Sequence, residues 1–365
     1  MQDWKTIKHL ITLNKKPQWT DVLHEVYNNF DLSREEIERM ANGGNLAMRD
    51  AWAWHVGVME EYDVRKDYNN VVSIKLVMPM HCQADCRFCF MHAYKGLLNI
   101  DPERFIKNYL YSLGDVVSEL YGKHPISLDI TGGEPTFNAG LLIQVLKELK
   151  QSRWLDKINR VVLTTNGYRL DTVAKYLPGV VDYVNISTHH YDYEQRRKIF
   201  RTDLIPDNDA LHSLVVKLLR KGIKTSAVAV IDKPIDDIAG FLRAYLQWAK
   251  VIGFESVRFR GDCSTGDFAP TFNKYIDDTI QQGGYMALQE ENTNDSHWCR
   301  LVDKDGYMFF MLQGVQSTYE CSRGVEYIIS YDGLPYLDYY HQHSFYDNDL
   351  PVGYIFDKKN VNPES

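Results

Sequence analysis

No stretch of the 365-residue chain approaches the roughly 20 consecutive apolar residues of a membrane-spanning helix, so no membrane partner is expected. The start, Met1-Gln2-Asp3-Trp4-Lys5, carries an acid and leads into no long apolar run, so no signal peptide is expected either. Basic charge is not in excess. Lys and Arg number 41 against 49 Asp and Glu, a net charge of −8, which argues against broad binding to nucleic-acid phosphates but leaves room for a small cationic pocket. Cysteine is scarce and unevenly placed. Three of the six crowd into eight residues, and Cys263, Cys299 and Cys321 stand far apart, which is not a secreted disulfide framework. A reducing, cytoplasmic setting fits that usage.

What is present suits a large core. Hydrophobic residues make up 44% and charged residues 25%, ordinary for a globular chain of one big domain with additions or two domains. Residues 1–70 read as a helical N-terminal extension, with a capping box at Ser33-Arg34-Glu35-Glu36 and a helix stop at Gly43-Gly44. From 71 to 260, apolar β-branched runs at 71–78, 126–131, 160–165, 183–188, 224–231 and 256–260 alternate with helical patterns. Such alternation implies an α/β fold with a parallel sheet, here six units of a partial (β/α)6 TIM-like barrel. From 261 to 365 the pattern changes to short aromatic strands with hairpin signals at Asp305-Gly306 and Asp332-Gly333, a β-rich C-terminal extension covering the barrel.

The chemistry-bearing stretch is Cys82-Gln83-Ala84-Asp85-Cys86-Arg87-Phe88-Cys89, on the loop that leaves the first strand. Three thiols at this density act as metal ligands. They suit three irons of a four-iron cluster, leaving the fourth iron open, or a structural zinc site completed by His81 or His92. Parallel barrels carry their active sites at the C-terminal strand ends. There, strand 2 runs into Thr131-Gly132-Gly133-Glu134-Pro135-Thr136, strand 3 into Thr164-Thr165-Asn166-Gly167, and strand 4 into Ser187-Thr188-His189-His190.

The cysteine spacing, with Phe88 just before the third thiol, resembles the signature of the radical S-adenosylmethionine (SAM) superfamily, and the loops after strands 2 and 3 resemble further superfamily elements in the same order. The resemblance covers about 71–260. It implies that Cys82, Cys86 and Cys89 hold a 4Fe–4S cluster whose open iron chelates SAM. Reduction by an external flavodoxin- or ferredoxin-like donor then yields a 5′-deoxyadenosyl radical that abstracts hydrogen from a substrate. It also implies SAM contacts at Phe88, Gly132, Gly133, Glu134, Pro135, Asn166, Ser187, Arg201 and Val230. A second cluster on Cys263, Cys299 and Cys321 stays open, as does a zinc-stabilised binding module without catalysis.

Strand 6 carries Val257-Arg258-Phe259-Arg260. Period-two alternation puts Arg258 and Arg260 on one face, expected to face the lumen and bind an anionic substrate group. The resemblance admits a small polar, anionic metabolite or a ribosomally made peptide. The sequence shows neither a strand-rich leader-binding start nor a multi-cysteine C-terminal extension, and on those grounds a small molecule is favoured over a peptide.

Overall fold

The protein's structure is a computed structural model that describes residues 72–79, 81–89, 102–123, 125–262, 268–281, 284–292, 296–314, 326–330 and 333–336. The expected N-terminal helices, most of the tail, Cys263 and Cys321 lie outside these residues. The chain divides into two compact units, one containing residues 69–83 and 90–184, the other containing 84–89 and 185–316.

In the first unit, β1 (Val72–Met78) is followed by α1 (Pro102–Leu120), β2 (Ile126–Gly132), α2 (Ala139–Gln151), β3 (Arg160–Thr165) and the short α3 (Leu170–Val173). β1, β2 and β3 pair in parallel, with Leu76 opposite Ile130. Ile74, Leu76, Leu128, Ile130 and Leu163 are fully buried, as expected of a parallel strand set covered by helices. α1 buries Phe105, Tyr109, Leu113, Val116 and Leu120, a stripe at spacings of three and four. The Asn138 side chain caps α2 by accepting from Leu141 N. Residues 326–336 belong to this unit too. Among them β10 (Glu326–Ile329) lies parallel to β1, and β11 (Pro335–Tyr336) lies antiparallel to β10. Gly333 seats its backbone against α1, where an added Cβ would lie 2.6 Å from that of Asn108.

β4 (Tyr183–Ser187) crosses the division between the units. The second unit continues with α4 (Tyr193–Phe200), α5 (Asn208–Leu219), β5 (Lys224–Ile231), α6 (Ile238–Ile252), β6 (Ser256–Gly261), α7 (Ala269–Gln281), β7 (Tyr285–Asn292), β8 (Ser296–Asp303) and β9 (Met308–Gly314). Asp192, Asp207 and Asp237 cap α4, α5 and α6, each accepting from a backbone N–H three residues on. β5 and β6 are parallel, and β9 adds to β6, also in parallel. β9, β8 and β7 form an antiparallel meander, with the Asp305-Gly306 turn joining β8 to β9 as expected. Phe259 is fully buried, 5.0 Å from Tyr245 of α6 and 6.1 Å from Phe309 of β9. The apolar face of β6 is therefore the helix-packed one, and Arg258 and Arg260 point the other way. The strand–helix alternation and the parallel pairing are the α/β architecture the sequence implied. α4 is an element the sequence reading lacked.

Candidate functional site

In the first unit the three strand ends are tied together by backbone and buried side chains. The loop after β1 accepts a hydrogen bond at His81 O from Glu134 N, 2.7 Å. Glu134 is 2% exposed. Its Oε1 accepts from Thr136 N at 3.0 Å, Thr136 Oγ1 at 2.6 Å and Thr165 Oγ1 at 2.6 Å, and its Oε2 accepts from Asn166 N at 2.6 Å. Burial raises the carboxyl pKa more than these donors lower it. Asn166 Nδ2 in turn lies 3.7 Å from Cys82 Sγ, while Asn166 Oδ1 accepts from Gln83 Nε2 and Tyr168 N. A chain of contacts thus runs from Glu134 through Asn166 to the first cysteine.

Gly132, expected to let backbone approach a ligand, makes its close approach to protein. Its φ is +133°, and an added Cβ would stand 2.5 Å from Met78 O. Both Glu134 oxygens are likewise occupied by protein donors, so this side chain orders the loops. Gly133 is half-buried and Pro135 buried beside it.

In the second unit, residues 84–89 are held by the end of α4 and by the loop after β5. Asp85 N donates to Phe200 O at 2.9 Å, and Asp85 Oδ2 pairs with Arg201 Nη1 at 3.1 Å. Arg201 is the C-cap of α4 with φ 56°. The resemblance gave Arg201 to the SAM carboxylate, whereas here it grips the cysteine loop. Arg87 pairs with Asp232 at 2.6 Å. Cys89 N donates to Cys86 O at 3.1 Å, a tight turn between these two cysteines. Phe88 meets His189 edge-on at 4.8 Å, and His189 also packs on Phe200 at 4.8 Å. His189 adopts φ 60°, and its Nδ1 accepts from Val230 N at 3.1 Å. Burial lowers its pKa to about 3, which keeps the imidazole neutral. Ser187 is half-buried at the end of β4.

Farther along this unit, the Arg258 guanidinium lies over the Phe310 ring at 4.9 Å. Arg300 of β8 lies over the same ring at 5.3 Å and is 4% exposed. The registers Arg258↔Phe310 and Arg300↔Phe310 put all three on one face. Arg260 is exposed. Sequence reasoning missed Arg300, and it noted His189 without assigning it a contact. Arg300 follows three buried-type residues in a strand whose register only tertiary pairing reveals. His189 had a signal in its place just after β4.

Residues 76–243, just under half of the chain, match the family model described as Radical SAM superfamily. The subfamily is not resolved. No curated protein matches the chain. Among solved structures it is similar to Streptococcus suis SuiB bound to the precursor peptide SuiA, at 19% identity and TM-score 0.43, covering 63% of this chain and 50% of that one. It is also similar to native anSMEcpe with bound AdoMet and the Kp18Cys peptide, at 16% identity and TM-score 0.43, covering 58% and 62%. A third is methylornithine synthase (PylB), at 14% identity and TM-score 0.37, covering 66% and 64%. The chain thus spans half to two thirds of these proteins. Two of these three structures hold peptides, contrary to the preference for a small molecule read from the sequence.

The superfamily implies SAM and an iron–sulfur cluster. The donor set fits the cluster. Cys82 is exposed, Cys86 and Cys89 are half-buried, and the Asn166 amide nitrogen lies 3.7 Å from the Cys82 sulfur, a contact of the kind that tunes thiolate-held clusters. Among the described residues, no helix is long and apolar enough to cross a membrane.

Proposed function

We propose that this protein is a radical SAM enzyme that acts on a peptide, with Cys82, Cys86 and Cys89 holding a single 4Fe–4S cluster. The observation that carries the reading is the ordered cysteine loop, anchored at Cys82 by Asn166 and at Asp85 by Arg201 and Phe200. When bound and reduced, the cluster supplies the electron that cleaves SAM to methionine and a 5′-deoxyadenosyl radical. The chain's own residues bind and orient. Glu134 fixes the loops after β2 and β3 through four hydrogen bonds. Phe88 offers a flat apolar surface for adenine, held edge-on by neutral His189. Gly133, Pro135, Ser187 and Val230 complete the SAM contacts. The names of SuiB and anSMEcpe structures support the peptide. Arg258 and Arg260, on the face of β6 turned from the helices, suit a carboxylate on that peptide, because guanidinium binds carboxylate bidentately.

The anaerobically reconstituted protein is expected to hold about four irons, and Ala at Cys82, Cys86 and Cys89 together should remove them. Dithionite-reduced protein should release 5′-deoxyadenosine. An intact, reducible cluster with no such product would sink the radical reading. The peptide reading is tested by mass spectrometry of short peptides encoded beside this gene, incubated with enzyme, SAM and reductant. Arg258→Met should raise the peptide KM while leaving substrate-free SAM cleavage in place. If no neighbouring peptide changes mass while SAM is consumed, the peptide reading is wrong.

A further inference from the structure

A second group of metal-ligating side chains gathers in the second unit, and none of it belongs to the cysteine loop. Asp277 of α7, Glu290 of β7 and His297 of β8 each offer one ligand atom, and these atoms lie within 4.8 Å of one another. The register explains the convergence. Glu290 stands opposite Cys299, and Asn292 stands opposite His297. Period-two alternation then puts Glu290, Cys299 and His297 on one face of the hairpin. α7 covers that face with buried Phe272 and Ile276, and Asp277 acts on Cys299 from that helix.

His297 is 2% exposed, with Nε2 3.1 Å from Glu290 Oε1 and a buried Nδ1 that has no hydrogen-bond partner. Asp277 and Glu290 are exposed, so an ion reaches them from solvent. Among the described residues, no lysine or arginine forms an ion pair with either carboxylate. Two carboxylates this close repel each other unless a cation lies between them. A His297–Glu290 hydrogen bond alone accounts for two of the three groups. It leaves the approach of Asp277 unexplained.

We infer that Asp277, Glu290 and His297 bind one divalent transition-metal ion, Mn2+ or Zn2+, which clips α7 to the β7–β8 hairpin. One imidazole with two carboxylates is a donor set both ions accept, and Mn2+ has little affinity for thiolates, which separates this site from Cys82, Cys86 and Cys89. The test uses the cluster-loaded protein under anaerobic conditions. Free Mn2+ is followed by its EPR signal, and Zn2+ by equilibrium dialysis with iron content measured alongside. One ion per chain is expected. Asp277→Asn and Glu290→Gln change exposed side chains and leave iron content unaltered, yet each should weaken binding at least about tenfold. His297→Ala should abolish binding, with circular dichroism reporting whether the fold survives. Failure of the wild-type protein to bind either ion at about 1 mM would overturn the inference. So would wild-type affinity in both carboxylate variants.

Discussion

At the scale of single residues, His189 and Asn166 do the least visible and most specific work. His189 is neutral because burial lowers its pKa to about 3. Its folded-state pKa lies below the unfolded value, so the unfolded chain binds the extra proton. The contribution to stability is complete above pH 6.5 and is lost as pH falls toward 3. His189→Asn keeps a short acceptor for Val230 N, tolerates the positive φ and removes the titration. Between pH 6 and pH 5, denaturant unfolding should show the wild-type protein losing about 1 kcal/mol more than this variant. Equal slopes would mean that His189 is solvated. Asn166 faces the Cys82 sulfur with an N–H donor. Donors to sulfur stabilise the reduced cluster, so Asn166→Leu should move the midpoint potential to more negative values with iron content retained. An unchanged potential in an EPR-monitored redox titration would refute the contact.

At the scale of elements, α4 decides how the cysteine loop sits in the second unit. Its last residue and its C-cap supply Phe200 O and Arg201, and both hold Asp85. The Arg201–Asp85 pair is about half exposed, so it adds under about 1 kcal/mol to stability. Arg201→Met and Asp85→Asn should therefore leave global unfolding almost unchanged and shorten the lifetime of the bound cluster alike. A double-mutant cycle separates this role from a SAM-carboxylate role. Coupling between the two substitutions marks the loop clamp. A rise in SAM Kd for Arg201→Met alone marks direct binding.

At the scale of the whole molecule, ligand linkage gives a direct readout. SAM at about 100 times its Kd should stabilise the cluster-loaded protein by about 2.7 kcal/mol, and the protein lacking Cys82, Cys86 and Cys89 far less. Equal thermal shifts would show that SAM binds without the cluster. Much of the α/β core was legible, because β-branched runs such as Val161-Val162-Leu163 alternate with helical patterns, and that alternation suits parallel strands buried on both faces. α4 was not legible, since Arg196-Arg197-Lys198-Ile199-Phe200-Arg201 suits a solvated basic face equally well. Its Arg196 is nonetheless 1% exposed, bonded to Asn208 and stacked over Trp248. Cysteine spacing pointed to candidate ligands, but not to the Asp85–Arg201 pair, whose members are 116 residues apart. The Asp277, Glu290 and His297 group was equally hidden, because it depends on hairpin register and on where a helix lands.

The backbone contact at Gly132 has a consequence for how this gene can drift. Every one-base change of a glycine codon that alters the amino acid brings in a Cβ, and here that atom would meet the Met78 carbonyl oxygen at 2.5 Å. No side chain can give way, because the obstacle is main chain. A saturation library selected for cluster assembly should return only synonymous codons at position 132, while Gly284, which has open space around it, should accept replacement freely.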